Sequence, residues 1–593
     1  MLNSVGQRAR SFFSLCPTSS RTCKLPRARC LSLCSTIRRG YADVANTAGK
    51  PVTKQKPYYV TSPIFYVNAA PHAGHLYTLL LTDILKRWQL LKGNQNATLL
   101  TGTDEHGMKI QKAAEKAKTD TKAFCDQHAR QFQSLAERAN VKYDRFIRTT
   151  DEDHKAAVEH FWRELNHRGY IYESKHEGWY SVSDETFYPE SQVHLILDPS
   201  TGRKLQASIE TGKEVEWTSE TNYHFRLSMF KDKLLQHYHD HPEFIVPKTR
   251  MNFIVKEVES GLSDLSISRP SSRLTWGIPV PGDDSQTIYV WLDALINYIT
   301  MAGYPFASKE AAEALWPPDC QVIGKDIVRF HCIYWPAFLM ALDLPVTKQF
   351  LTHAHWTMNR EKMSKSVGNV VNPFYAMDRF GVDVIRYYMA HDGGIVDDAD
   401  YDNGYIVDRY KKGLHGGLGN LVSRVVRGKK WNVRESVELM SNKGEKNSNE
   451  MLETSRKHTT HLKRVPAQVQ KSMDELNPRQ ALHIIMDLVY STNKYFQESA
   501  PWDMAAFPDD KVQKELKRII YLTAESIRIV AILLQPFMPE KAAQALDLLG
   551  VDPAWRRFMY TAYGADIKYG SPRIDVGKAG SAGTLFPPLA SEF

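Results

Sequence analysis

The sequence predicts an α/β protein in its first two thirds, with an inserted β-rich module, followed by an all-α region. Three observations carry this. Short β-branched and aromatic runs alternate with helix-length amphipathic stretches from Tyr58 to about Tyr172. The alternation returns at Thr287, after a stretch in which helical period fades. Beyond Tyr388 almost everything has helical period, and no internal repeat is present.

The elements follow in order. A strand covers the run from Tyr58 toward Pro63. Leu76, Leu79, Leu80, Ile84, Leu85, Trp88 and Leu91 then keep helical spacing over 74–92, up to the breaker Lys92-Gly93-Asn94. A strand at Ala97–Gly102, a helix from about Gly107 to Asn140 and a helix after Asp151-Glu152-Asp153 complete the first half of a parallel sheet. From Gly178 to about Thr249, Trp179, Tyr180, Phe187, Tyr188, Trp217 and Tyr223 stand among Gly, Ser and acids and read as β-rich. The sheet resumes with Thr287–Ala294, Gln321–His331 and Phe350–His355. Helices are expected at 404–429, 450–475, 478–497 and 511–535, with 436–460 a polar loop. The tail from Ser571 is punctuated by Gly and Pro, and no appended domain is expected after it.

Charge is unevenly placed. The net +9 belongs almost entirely to residues 1–40, which hold seven Arg, one Lys and no acid; 68 basic and 67 acidic residues remain in the rest. An Arg- and Ser-rich, acid-free leader is the composition of an organelle transit peptide, here residues 1–41, with 42–57 a polar linker; a basic arm that binds RNA is the alternative. Four of the seven Cys lie in the leader. The remaining Cys125, Cys320 and Cys332 are too scattered for a disulfide framework or metal cluster. No apolar run is long enough for a transmembrane helix, so no membrane is expected as a partner.

Two short motifs carry chemistry. His72-Ala73-Gly74-His75 falls where the first strand turns into the first helix, and a helix N-terminus with a glycine and two imidazoles suits phosphate. Lys362-Met363-Ser364-Lys365-Ser366 is a basic loop almost 300 residues later. Asp104, at the end of the second strand, could receive a cation such as an α-amino group or could cap the next helix. Trp291, Tyr298, His331 and Trp335 pair at helical spacings; such rings suit a thioether, or they form core.

The two motifs in this order resemble the paired HxGH and KMSKS signatures of class I aminoacyl-tRNA synthetases. Ser62–Tyr66, Tyr289–Ala294 and Gly324–Pro336 are similar to motifs of the methionyl-tRNA synthetases. That resemblance implies a Rossmann-type catalytic domain in two halves, 58–177 and 250–400, split by a connective peptide at 178–249. A helical anticodon-binding domain with its tail would follow at 401–593. It implies ATP-dependent charging of tRNA(Met) with L-methionine through a methionyl-adenylate, by a monomer in the mitochondrial matrix. His72, His75, Lys362 and Lys365 would be catalytic; His72, Gly74, His75, Gly324, Asp326 and Lys365 would bind ATP with its Mg²⁺. The methionine site would comprise Ile64, Tyr66, Asp104, Trp291, Ala294, Leu295, Tyr298, Ile327, His331 and Trp335, where Leu295 replaces a Pro of some relatives. Asn420, Arg424 and Trp502 would read the anticodon.

The connective peptide often carries a zinc knuckle, but Tyr180–Glu185 offers no thiolate, and no structural zinc is expected. Relatives specific for leucine, isoleucine and valine insert a large editing domain for which this chain has no room. Local basic residues such as Arg424, Arg427, Lys429 and Lys430 must supply tRNA affinity in a chain otherwise near neutrality. The rival readings are another class I ligase or nucleotidylyltransferase, and a non-catalytic RNA-binding protein; the latter would be free to lose His72, His75, Asp104 or Lys365.

Overall fold

Six short segments line up as one all-parallel sheet: β1 (Tyr59–Tyr66), β2 (Thr98–Asp104), β3 (Arg145–Arg148), β4 (Ile245–Val246), β5 (Cys320–Gly324) and β6 (Phe350–His353), in the order β3-β2-β1-β5-β6-β4. Both faces are covered by helices, and β1, β2, β5 and β6 are almost wholly buried. The computed structural model describes residues 56–181, 186–188, 190–197, 202–209, 211–362, 371–441, 451–576 and 584–589. The expected leader, most of the linker and Lys365 lie outside these residues, as does the side chain of Lys362.

The principal helices are α1 (Ala73–Lys92), α2 (Glu152–His167), α3 (Val290–Thr300), α4 (Val382–Asp392), α5 (Glu453–Asp474), α6 (Pro478–Ser499), α7 (Asp510–Leu534) and α8 (Pro539–Leu549). α1 starts at a His72 cap and stops at Gly93, whose φ of 105° is one that side-chain-bearing residues rarely adopt.

Several expectations are corrected. Thr287–Ala294 is not a strand of the main sheet: Asp283–Ile288 joins Ser268–Pro270 and Pro279–Val280 in a separate antiparallel sheet, and α3 begins at Val290. A continuous apolar run does not distinguish buried strand from buried helix. The helix expected over 107–140 is two, Met108–Ala117 and Thr121–Arg138, parted by left-handed Lys118 and recapped by Asp120. The inserted β-rich stretch starts at Ile171 and ends at Phe225; helices Lys231–Asp240 and Lys248–Ser260 then flank β4. Val433–Ser441, which runs into the expected polar loop, is a helix that buries Val433, Val437 and Met440 at helical spacing.

In the insertion a long antiparallel pairing of Ile171–Ser181 with Glu216–Phe225 carries most of the sheet. Where that sheet meets the catalytic part, Met108, Tyr180 and Leu274 form a small core with Phe187 packed against it. The buried Arg269 guanidinium lies 5.2, 5.1 and 4.6 Å from the ring centres of Tyr180, Phe187 and Tyr289, within cation–π range.

The all-α region opens with Asn403–Arg409, a π-helical segment Tyr410–Gly419 and an α-helical turn Asn420–Val426. The wide segment is glycine-rich for a steric reason: a Cβ at Gly416, Gly417 or Gly419 would meet the carbonyl oxygen five residues back at 2.8, 3.1 and 3.0 Å.

One buried ionic knot ties α1 to this region. Arg386 of α4 donates from Nη2 to Asp83 Oδ2 at 2.6 Å and to the Pro536 carbonyl at 2.9 Å, from Nε to the Phe537 carbonyl at 3.0 Å, and from Nη1 to the Ala139 carbonyl at 3.1 Å. Arg87 also reaches Asp83 Oδ2 at 2.6 Å, and Lys142 N–H donates to Oδ1 at 2.9 Å. Burial alone would raise the Asp83 carboxyl; the two guanidiniums and the backbone donor more than reverse this and hold it below its ordinary value.

Candidate functional site

The order of the sheet reverses between β1 and β5, and ligands of open α/β sheets gather beyond the carboxyl ends of strands at such a point. The register sets Tyr66 at the end of β1 beside Asp104 at the end of β2, and Gly324 at the end of β5 beside His353 at the end of β6. The chain then leaves β1 for α1, which brings His72 and His75 to the same end.

The imidazoles are oriented by backbone. His72 Nδ1 accepts the Gly74 N–H at 3.1 Å, and His75 Nδ1 accepts the His72 N–H at 3.0 Å, a reciprocal helix cap. A neutral imidazole whose Nδ1 accepts carries its proton on Nε2, so the cap defines both tautomers. The rings lie 3.7 Å apart, centre to centre, and both side chains are half-buried. Gly74 follows from the same geometry: a Cβ there would come 2.9 Å from His72 Cε1. Two Nε2–H donors at the positive end of a helix suit the oxygens of a polyphosphate.

On the β5 side, Gly324 is buried and a Cβ would fall 2.6 Å from Asp326 Oδ1. Asp326 is exposed and pairs with His355 Nε2 at 3.2 Å. His353 Nε2 meets Thr78 Oγ1 of α1 at 2.8 Å, and burial lowers this imidazole to about 4. The backbone of Lys362 pairs with Thr357 in a hairpin.

The rings form one cluster. Tyr298 and His331 are buried, with Tyr298 Oη 2.7 Å from His331 Nε2. His331 Nδ1–H donates to the Ile327 carbonyl at 3.0 Å, which leaves Nε2 to accept from Tyr298. Burial pushes His331 down to about 4, so it is neutral at physiological pH. The phenol of Tyr298 is pushed well up, first by burial and also by the charge of Asp104. Trp335 is buried 6.2 Å from Tyr298, and Trp291 is half-buried, stacked on Phe330 at 3.7 Å and edge-on to His331 at 6.1 Å. Ile64, Leu295 and Ile327 pack into the same cluster. Ala294 is buried on α3 between Trp291 and Tyr298, and Tyr66 is half-buried with Lys109 Nζ 5.6 Å from its ring centre. With the polar atoms of Tyr298 and His331 turned on each other, the cluster offers ring faces and edges, which suits a thioether.

Sequence reasoning missed the residues behind this cluster. Asp293 of α3 is buried between His106 Nδ1 at 2.7 Å and His154 Nε2 of α2 at 2.7 Å. Burial would raise the Asp293 carboxyl, but the two imidazoles hold it below its ordinary value. Glu105 is fully buried: its carboxylate takes Arg148 Nε at 2.6 Å and Nη2 at 2.8 Å, and the hydroxyls of Thr103 and Thr150 at 2.7 Å each. The Asp104–Gly107 turn is thereby clamped from two sides. His106 stands two residues from Asp104, and Asp293 lies inside Tyr289–Ala294, so both were within reach. His154 had no signal, since it lies 139 residues from Asp293.

In the all-α region Asn420 and Arg424 share the face of one helical turn, half-buried and exposed respectively. Arg424 Nη1 is 3.3 Å from Gln497 Oε1 near the end of α6. The left-handed Ala500 ends that helix and Trp502 follows, half-buried and edge-on to Phe496 at 6.1 Å, with Lys430 Nζ on its carbonyl at 3.1 Å. Trp502 is therefore a packing residue as well as a ring offered to solvent.

Among the described residues no group of three or more His, Cys, Asp or Glu could hold a metal ion, and no helix is long and apolar enough to cross a membrane. Cys125, Cys320 and Cys332 are free and buried.

Comparison with known proteins agrees with this geometry. Residues 58–426 match the family model described as tRNA synthetases class I (M), and 446–571 match the anticodon binding domain of methionyl tRNA ligase. A probable mitochondrial methionine–tRNA ligase of Neurospora crassa is 53% identical over 93% of this chain and 88% of its own. One of Schizosaccharomyces pombe is 45% identical over 87% and 93%. The structure of Mycobacterium tuberculosis methionyl-tRNA synthetase in complex with methionyl-adenylate superposes with a TM-score of 0.80 at 38% identity, covering 90% of this chain and all of that one. The chain belongs to the class I tRNA synthetases of the methionyl type.

Proposed function

We propose that the chain ligates L-methionine to tRNA(Met) in mitochondria at the expense of ATP, through a methionyl-adenylate. The observation that supports this most is the convergence, at one end of the sheet, of the tautomer-defined His72–His75 pair, the Asp104 carboxylate and the Tyr298–His331–Trp335 cluster. In activation, the methionine carboxylate attacks the α-phosphorus of ATP and pyrophosphate leaves; in transfer, a terminal ribose hydroxyl of the tRNA attacks the adenylate carbonyl and AMP leaves.

The enzyme contributes positioning and charge rather than a nucleophile. Asp104 holds the methionine ammonium beside Tyr66, and Ile64, Trp291, Ala294, Leu295, Ile327 and Trp335 enclose the side chain. His72 and His75 donate to the triphosphate from Nε2, and Gly324 lets the ribose approach, with Asp326 as its acceptor. Lys365 neutralises departing pyrophosphate with Lys362 assisting; both rest on the resemblance of their motif. ATP would be taken with its Mg²⁺, which would supply further positive charge against the phosphates. Asn420, Arg424 and Trp502 take the anticodon by stacking and base-edge hydrogen bonds.

We also take the catalytic part as the two stretches that flank the insertion between residues 58 and 400 and the anticodon part as 401–593, the insertion as free of zinc because it lacks thiolates, and the enzyme as a monomer of the matrix delivered by residues 1–41.

The test is amino-acid-dependent exchange of labelled pyrophosphate into ATP, on protein lacking residues 1–41, with each of the twenty amino acids and no tRNA. Exchange with methionine alone, abolished by Lys365→Ala, is expected. Exchange with another amino acid would refute the pocket assignment and keep the class.

A further inference from the structure

We propose that the outward face of α5 binds the phosphate backbone of a base-paired RNA stem, the one leading to the unpaired bases read by Asn420, Arg424 and Trp502. This rests on the ligase reading above and adds a second contact surface to it.

The face carries a groove of about 460 Å³ lined by Glu453, Arg456, Lys457, Thr460, His461 and Arg464. None of these is apolar. A protein interface needs an apolar or aromatic centre, whereas a phosphate backbone takes cations and hydroxyls. The local sequence departs from the rest of the chain. Between Thr454 and Met473 stand Arg456, Lys457, Lys463, Arg464 and Lys471 with no Asp or Glu, in a chain whose charges after residue 40 nearly cancel. Arg456 and Lys457 have side chains 58% and 77% exposed and reach Glu453 at 3.3 and 3.6 Å. Pairs this exposed are worth little and give way readily to a stronger anion. Lys463 turns aside, 5.4 Å from the ring centre of Tyr563, so the groove cations are Arg456, Lys457 and Arg464.

Placement supplies the second argument. Ser455 meets Tyr495 Oη at 2.9 Å, the His458 ring stacks on Tyr495 at 4.4 Å, and His461 Nδ1 lies 3.2 Å from Ser491 Oγ. The falling partner numbers make α5 antiparallel to α6. The groove therefore flanks the half of α6 that carries Gln497, the partner of Arg424, and leads into Trp502. Facing charges are mixed: Asp487 acts on His461, and Lys494 pairs with Glu498 along the exposed ridge between the two sites. A stem is long enough to cross that ridge, one helix wide, while its loop reaches Trp502.

The test uses the full chain with Arg456, Lys457 and Arg464 all changed to Gln, which keeps helix propensity. Methionine-dependent pyrophosphate exchange without tRNA should be unchanged. The KM for tRNA should rise about tenfold, and the slope of log affinity against log salt should become shallower by about 2 to 3, near 0.9 for each phosphate no longer neutralised. Arg456→Lys with Arg464→Lys keeps the charge and should retain tRNA affinity. Glu453→Gln should lower KM. On the unaltered chain, phosphate-protection footprinting of bound tRNA should show protected phosphates in the anticodon stem. Unchanged KM and salt slope, or protection confined to the loop, would overturn the assignment and leave the groove to another partner. Lack of exchange in the unaltered chain would instead break the ligase reading.

Discussion

The strand-end site and the anticodon-side surface are built to different standards. At the strand ends the imidazoles and the turn that carries Asp104 are held by neighbours: backbone N–H groups orient His72 and His75, Ile327 and Tyr298 hold His331, and Asp293 and Glu105 clamp the turn. At the α5–α6 surface the cations Arg424, Arg456, Lys457 and Arg464 are exposed, and Arg424 makes a long contact to Gln497. A small substrate that must be positioned to fractions of an ångström calls for the first kind of construction. A flexible polyanion tolerates the second.

Four experiments sharpen that contrast, from the largest expected effect to the smallest. Arg386→Ala strips one of the two guanidiniums from buried Asp83 and leaves three carbonyls without their donor, and should destabilise by about 3–5 kcal/mol, read from denaturant midpoints. Second comes acid sensitivity. His331 has its pKa lowered by folding to about 4, so the unfolded chain binds its proton first as pH falls. The stability this group contributes is present above about 6.5 and is lost between 6.5 and about 4, of order 3 kcal/mol, with His353 adding in the same window. His331→Asn should flatten unfolding free energy against pH across that window; an unchanged curve would refute the buried neutral imidazole.

Third, Gly74→Ala should split two properties. A better helix former gives a stability change of no more than about 1 kcal/mol, while displacement of His72 should cost exchange about 10²-fold. Equal losses in both would mean that the ring is not positioned by that contact. Fourth, Trp502→Ala should weaken tRNA binding by about 1–3 kcal/mol and leave methionine exchange untouched. A fall in exchange would show that its contact with Phe496 matters beyond the local helix end.

Legibility followed locality. The strand–turn–helix around His72 and Gly74 was readable because its signals are contiguous, and α5, α6 and α7 came out within a few residues of their expected bounds. The sixth strand, Ile245–Val246, is two residues long and exists only because β6 lies beside it. Asp293 was visible as a letter in a motif, but its role depends on His154, brought to it by the packing of α2 against α3. The helix at Val433–Ser441 was obscured by polar letters although its apolar spacing was present. The ring cluster was assigned through resemblance, since spacing alone favoured core over pocket.

The Arg386 knot bears on how this protein can be taken apart. Its guanidinium is shared among α1, the turn after the Thr121–Arg138 helix, and the Pro536–Phe537 link between α7 and α8. The division between the two functional regions is thus a functional boundary and not a seam along which the molecule can be cut. An excised catalytic fragment would inherit a buried cation short of two acceptors. Any minimal version should replace Arg386 and Asp83 together with apolar side chains of similar volume before the helical region is removed.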